Sequence, residues 1–131
     1  MQDRTSSLLA IRLNIDTIEK TSNTKEIEIF QNDILRPILK FQNDLLIKIF
    51  IDYAKQYKSV FFNLSNFDKL SYIQHALSTN QRLRSLILGT IIGLFSLEDY
   101  SYYRLNFTAL NKRIITMTIR RLQSQLDHLI N

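Results

Sequence analysis

Three residues punctuate this chain, and they are few for its length: Pro37, Gly89 and Gly93 are the only proline and glycines in 131 residues. Glycine and proline supply the turns and stops that short strands need. A Leu/Ile-rich chain with so few of them is expected to run in long helices. Hydrophobic residues make up 45% of the sequence, too many for a disordered chain, and the length is enough for one sizeable core.

The helical period supports an all-α bundle of about five helices. Residues from Lys25 to about Lys58 are helical in pattern, with a kink or break expected at Pro37, near Arg36. Pro37 also suits the first turn of a second helix. Residues 59–65 connect to a helix that Ser65 caps, with Asp68 in the capping-box position. Asn80 caps the next, from Gln81 to about Leu94. Ser96 caps the last, with Glu98 and Asp99 where the helix dipole favours acids. That helix reaches towards Leu129 on the stripe Ile115, Ile119, Leu122, Leu126 and Leu129, with Asn106 as its weak point. Residues 1–23 read differently. Leu9, Ile11, Leu13 and Ile15 alternate with Ala10, Arg12, Asn14 and Asp16, a period of two. They are expected to form a partly flexible, extended N-terminal arm, or a short helix, ahead of a single domain over 24–131.

One phrase occurs twice. Phe30-Gln31-Asn32-Asp33 returns as Phe41-Gln42-Asn43-Asp44, 11 residues later. Eleven residues are close to three α-helical turns, so in an unbroken helix both copies face one way. Phe30 and Phe41 then read as apolar anchors. Asp33 and Asp44 would lie about 16 Å apart along the axis, too far for a shared metal pair or a glycosidase carboxylate pair. Asp44, between Lys40 and Lys48 and followed by Asp52, reads as an i,i+4 charge ladder. Gln31 and Gln42 fall in the apolar seam. Such amides need polar partners and can fix helix register, or they contact a ligand. The run Leu45–Tyr53 is apolar on more than one side, which suggests a homodimer.

Other chemistry is sparse. There is no cysteine, so no disulfide, thiol nucleophile or thiolate metal site. No signal peptide is recognisable, and no apolar run approaches the ~20 residues a membrane span needs. A cytoplasmic protein without membrane insertion is expected. His75 and His128 are the only histidines, without neighbouring ligands, and no catalytic, metal or cofactor motif is present. Ser85, Gly89 and Gly93 form a small-residue ridge of the kind that lets another helix approach closely. The net charge is +5, and the excess lies in the second half: residues 61–131 hold eight Lys/Arg against four Asp/Glu. Lys112, Arg113, Arg120 and Arg121 on the last helix, preceded by Tyr100, Tyr102 and Tyr103, are candidate polyanion contacts. Gln81, Arg82 and Arg84 open a helix as a DNA-reading helix does, but the apolar run that follows argues for burial instead.

Leu35-Arg36-Pro37 with Phe41-Gln42-Asn43-Asp44, then GLFSLEDYSYY and Leu110-Asn111-Lys112-Arg113, resemble a family of small all-helical bacterial proteins, over roughly Phe30 to Gln125. The resemblance implies an all-α fold and no established activity. A glyoxalase label carried by some members finds no support in these residues, because isolated histidines and glutamates at 19, 26, 28 and 98 supply no metal-ligand set. The reading that follows is a non-enzymatic, homodimeric interaction or scaffold protein, without cofactor, with an unidentified protein partner open to it. A nucleic-acid-binding accessory protein is the alternative, and a small-ligand binder or enzyme with a pocket near Gln31 and Gln42 a second.

Overall fold

Pro37 has no amide hydrogen, and its ring strikes the carbonyl four residues back in a regular α-helix. The chain accommodates this by widening its hydrogen-bond ladder. The computed structural model describes Arg4 and residues 26–131. In it α1 (Glu26–Phe30) runs into a π-turn over Gln31–Leu35, where the Arg36 N–H bonds to the Gln31 carbonyl, five residues back. The helix then continues as α2 (Arg36–Phe41), with Pro37 in its first turn. The interruption expected at Pro37 therefore takes the form of a π-turn and not of a break. Helical geometry is lost later, at Gln42 (φ −88°, ψ 6°), before α3 (Asn43–Gln56) resumes.

This corrects the reading of the repeat. One i→i+5 turn shifts everything after it by about 100°, the arc of one α-helical residue. The two copies therefore do not share a face. Phe30 is 7% exposed, stacked on Tyr102 at 4.9 Å and edge-on to Phe95 at 5.6 Å. Phe41 is 50% exposed. The charge ladder shortens at the Gln42 turn. Lys48 and Asp52 pair at 3.7 Å, both well exposed. Lys40, on the far side of the Gln42 turn from Asp44, makes no ion pair within the described residues.

The rest follows the caps. After α3, Lys58 (φ 67°) and Ser59 (φ 56°) take left-handed backbone, and a 3₁₀ turn over Val60–Asn63 tucks Phe61 into the core. Ser65 accepts from the Asp68 N–H and starts α4 (Asn66–Thr79). Asn80 accepts from the Leu83 N–H and starts α5 (Gln81–Ile92). Ser96 and Asp99 form a reciprocal capping box, both bonds 3.0 Å, at the start of α6 (Leu97–Leu105). Each such cap contributes about 1 kcal/mol. Asn106 separates α6 from α7 (Phe107–Gln123), and a 3₁₀ turn over Leu126–His128 follows. No strand occurs among the described residues, and the fold is all-α.

α7 is the central element. Leu110, Ile114, Ile115, Thr118, Ile119 and Leu122 are buried, and it packs on both α4 and α5. The fully buried Thr118 returns its hydroxyl to the Ile114 carbonyl at 2.8 Å, so no polar group is stranded. The run Leu45–Tyr53 has an inner line, Leu46 and Phe50, and an outer one headed by Leu45, which is 48% exposed. Phe50, Phe61 and Tyr72 make an aromatic cluster, with Phe50–Phe61 at 5.0 Å and Phe61–Tyr72 at 5.2 Å. No helix of the described residues is long and apolar enough to cross a membrane. The arm expected over residues 1–23 lies outside the described residues except for Arg4, whose guanidinium donates to the carbonyls of Gly93 and Phe95, each at 3.0 Å.

Two outcomes follow from this packing. Phe30→Ala is expected to lower unfolding free energy by about 3–5 kcal/mol, and Phe41→Ala by about 1 kcal/mol or less, as measured by urea denaturation; equal losses would mean the copies are equivalent after all. Burial raises the phenol pKa of Tyr53, Tyr72, Tyr102 and Tyr103. The folded chain thus holds these protons to higher pH than the unfolded one. Their contribution is complete below about pH 10 and is lost as pH rises through the raised values, so thermal melts should fall steeply on the alkaline side.

Candidate anion-binding groove

α2 and α7 bring four cations to one groove. Arg36 and Lys40 are four apart and so share a face of α2. Arg120 and Arg121 come from the last turn of α7. With Gln31, Leu39, Met117, Ser124 and Gln125 they enclose about 490 Å³. No carboxylate among the described residues lines it.

The lining residues Arg121 and Gln125 are anchored from behind by an amide. Asn43, the first residue of α3 after the Gln42 turn, exchanges hydrogen bonds with Gln125: Asn43 Nδ2 donates to Gln125 Oε1 at 2.9 Å, and Gln125 Nε2 donates to Asn43 Oδ1 at 2.8 Å. Arg121 Nη1 donates to the same Asn43 Oδ1 at 3.3 Å. Above it, Arg113 Nη1 donates to Gln31 Oε1 at 2.6 Å. Arg36 is steadied by Asn32, which accepts from its Nε at 2.8 Å. Arg120 and Lys40 reach solvent.

Electrostatics mark Arg121. Burial, and then the neighbouring Arg36 cation, push its pKa below the usual guanidinium value. A guanidinium does not lose its proton in a protein, so Arg121 stays charged, partly desolvated and facing a like charge. An arriving anion relieves both penalties.

The residues singled out in the sequence separate in space. Gln31 lines the groove, but Gln42 does not. Gln42 Nε2 donates to the Thr90 carbonyl at 3.0 Å, satisfying one of the orphan acceptors in the last turn of α5. Arg120 and Arg121 line the groove and Arg113 abuts it through Gln31. Lys112 lies in a different hollow, with Arg84, Gln74 and Asn111. Arg84 also donates to the Leu77 carbonyl at 3.0 Å, so it caps α4 and does not stand out from a reading helix. No helix of the described residues packs on the small-residue ridge. Ser85, Gly89 and Gly93 are exposed, and a Cβ on Gly89 would meet nothing within 4 Å among the described residues. α5 buries Leu83, Ile87 and Ile91 instead. The ridge sits two residues out of phase, about 200° around the helix. His75 and His128 are exposed, and no group of three His, Asp or Glu among the described residues could hold a metal ion.

Arg36, Lys40, Asn43 and Gln125 escaped sequence reasoning. Arg36 and Lys40 carried a weak signal, an i,i+4 basic pair without an intervening acid. Asn43 and Gln125 carried none, since their pairing spans 82 residues.

The chain matches no protein-family model, no curated protein sequence and no solved structure. Fold and site together define an all-α bundle with a basic groove between its second and last α-helices.

The amide pair should be energetically coupled. In a double-mutant cycle of Asn43→Ala and Gln125→Ala, we expect an interaction energy of about 0.5–3 kcal/mol by urea denaturation. Simple additivity would mean that the pair holds nothing in place.

Proposed function

We propose that this chain is a non-enzymatic helical binding protein whose groove takes the phosphate backbone of a nucleic acid. The carrying observation is the set Arg36, Lys40, Arg120 and Arg121 around one hollow, with no described carboxylate to neutralise it. Guanidinium forks match phosphate oxygens bidentately. Arg113 and Arg121 are eight residues apart, so the basic line along α7 is about 12 Å long, enough for a few phosphates rather than one. Beside the cations stand alkyl groups, amides and the Ser124 hydroxyl, which is committed to the Arg121 carbonyl at 2.7 Å with no carboxylate or imidazole among the described lining residues to activate it, and this favours binding over turnover.

A second reading, a homodimeric interaction protein, is supported by exposed apolar side chains at the two ends of α6 and the start of α7: Leu105 is 85% exposed, Leu97 65% and Phe107 55%. Residues of this kind mark surfaces that other chains cover. Sedimentation at micromolar concentration separates the two readings. Twice the chain mass, reverting to one chain mass in Leu105→Glu, supports the dimer, and one chain mass throughout removes it.

For nucleic acid, the expected result is affinity that falls with salt. Displacing counterions from about three phosphates gives a slope of log K against log salt of roughly −2 to −3. Arg120→Ala with Arg121→Ala should weaken binding and flatten that slope by anisotropy titration. Flat titrations of both RNA and DNA at low salt would sink the proposal.

A further inference from the structure

We infer that the groove accepts a single strand and not a duplex, an inference that rests on the nucleic-acid reading above. The cations occupy two levels. Arg36, Lys40 and Arg120 are exposed and form a rim. Arg121 is set back, partly buried and tethered to Asn43. A charge-assisted contact needs about 2.7–2.9 Å between heavy atoms, so only a phosphate that enters the groove reaches Arg121. Duplex phosphates are carried on a stiff outer backbone and meet the rim alone. A flexible single strand lowers one phosphate to Arg121.

The remaining lining suits what accompanies that phosphate. The hollow, about 490 Å³, falls in the range that holds a small molecule, about 300–1,000 Å³, the scale of a nucleotide unit and not of a helix. Met117 is partly exposed there and offers an apolar shelf to a base. Gln31 spends its oxygen on Arg113. Its amide nitrogen has no partner among the described residues and stands beside the groove as a donor to an acceptor on a base edge. Duplex bases keep their faces stacked and cannot lie against Met117, and their major-groove edges stay out of reach of Gln31 when the duplex phosphates stop at the rim. No aromatic side chain among the described residues lines the hollow, so strand choice comes from reach, and preference among bases is expected to be shallow.

The test titrates the full chain, at one fixed low salt concentration, with a short labelled oligonucleotide as single strand and as its duplex. The single strand is expected to bind about ten-fold tighter or more, the worth of one extra charge-assisted contact. Arg121→Gln should remove that advantage by weakening the single strand while duplex affinity changes little. Arg36→Gln, at an exposed position that cannot disturb the core, should weaken both forms alike. Equal or tighter duplex binding, lost in Arg120→Ala with Arg121→Ala, overturns the strand inference and leaves the nucleic-acid reading standing. Binding of neither form overturns both. Single-strand preference that survives intact in Arg121→Gln also overturns the inference, because the selecting contact then lies elsewhere.

Discussion

The absence of one hydrogen, on the amide of Pro37, governs the half of the molecule that carries the groove. A proline inside a helix has to lose a bond and avoid a clash. Here the helix adds a residue to one turn, so the Arg36 N–H reaches Gln31. That single addition rotates Phe41 out to solvent while Phe30 stays in an aromatic stack. It also sets Arg36 and Lys40 on the side of α2 that faces the end of α7. A straight α-helix through the same residues would carry them elsewhere.

The turn at Gln42 completes the arrangement. Once helical geometry lapses there, Lys40 is separated from Asp44 and remains a free cation among the described residues, while Asn43 begins a new helix pointed at Gln125. Gln42 itself is held by the Thr90 carbonyl. The doubled phrase thus makes two tertiary contacts in its second copy, through Gln42 and Asn43, and a different set in its first. Identical letters do different work because the backbone phase beneath them differs. The groove is polar behind its lining for a related reason. Asn43 and Gln125 satisfy each other, which leaves Arg121 tethered but unneutralised.

Much of the fold was legible. The caps Ser65, Asn80 and Ser96 lie where local sequence placed them, because capping depends on residues three apart and on little else. The last helix's stripe was traceable through Ile115, Ile119, Leu122 and Leu129, all buried. Its true face is wider, taking in Leu110, Ile114 and Thr118, since a helix wrapped by two neighbours buries more than one stripe. The Ser85–Gly89–Gly93 ridge takes no helix of the described residues. Small residues permit close approach but do not compel it, and α5 turned its branched residues inward instead.

By itself, the sequence determined the class of fold: few breakers and strong helical periodicity leave an all-α bundle as the economical way to bury 45% hydrophobic residues. It also held the surplus of basic charge in the second half. Only the tertiary structure decided where that charge gathers into one groove. The groove unites residues 36 and 40 with 120 and 121, and behind its lining residue 43 bonds to 125. Contacts over such separations depend on helix phase and helix packing. A π-turn that shifts the phase by one residue is enough to redirect them, and local sequence patterns do not record it.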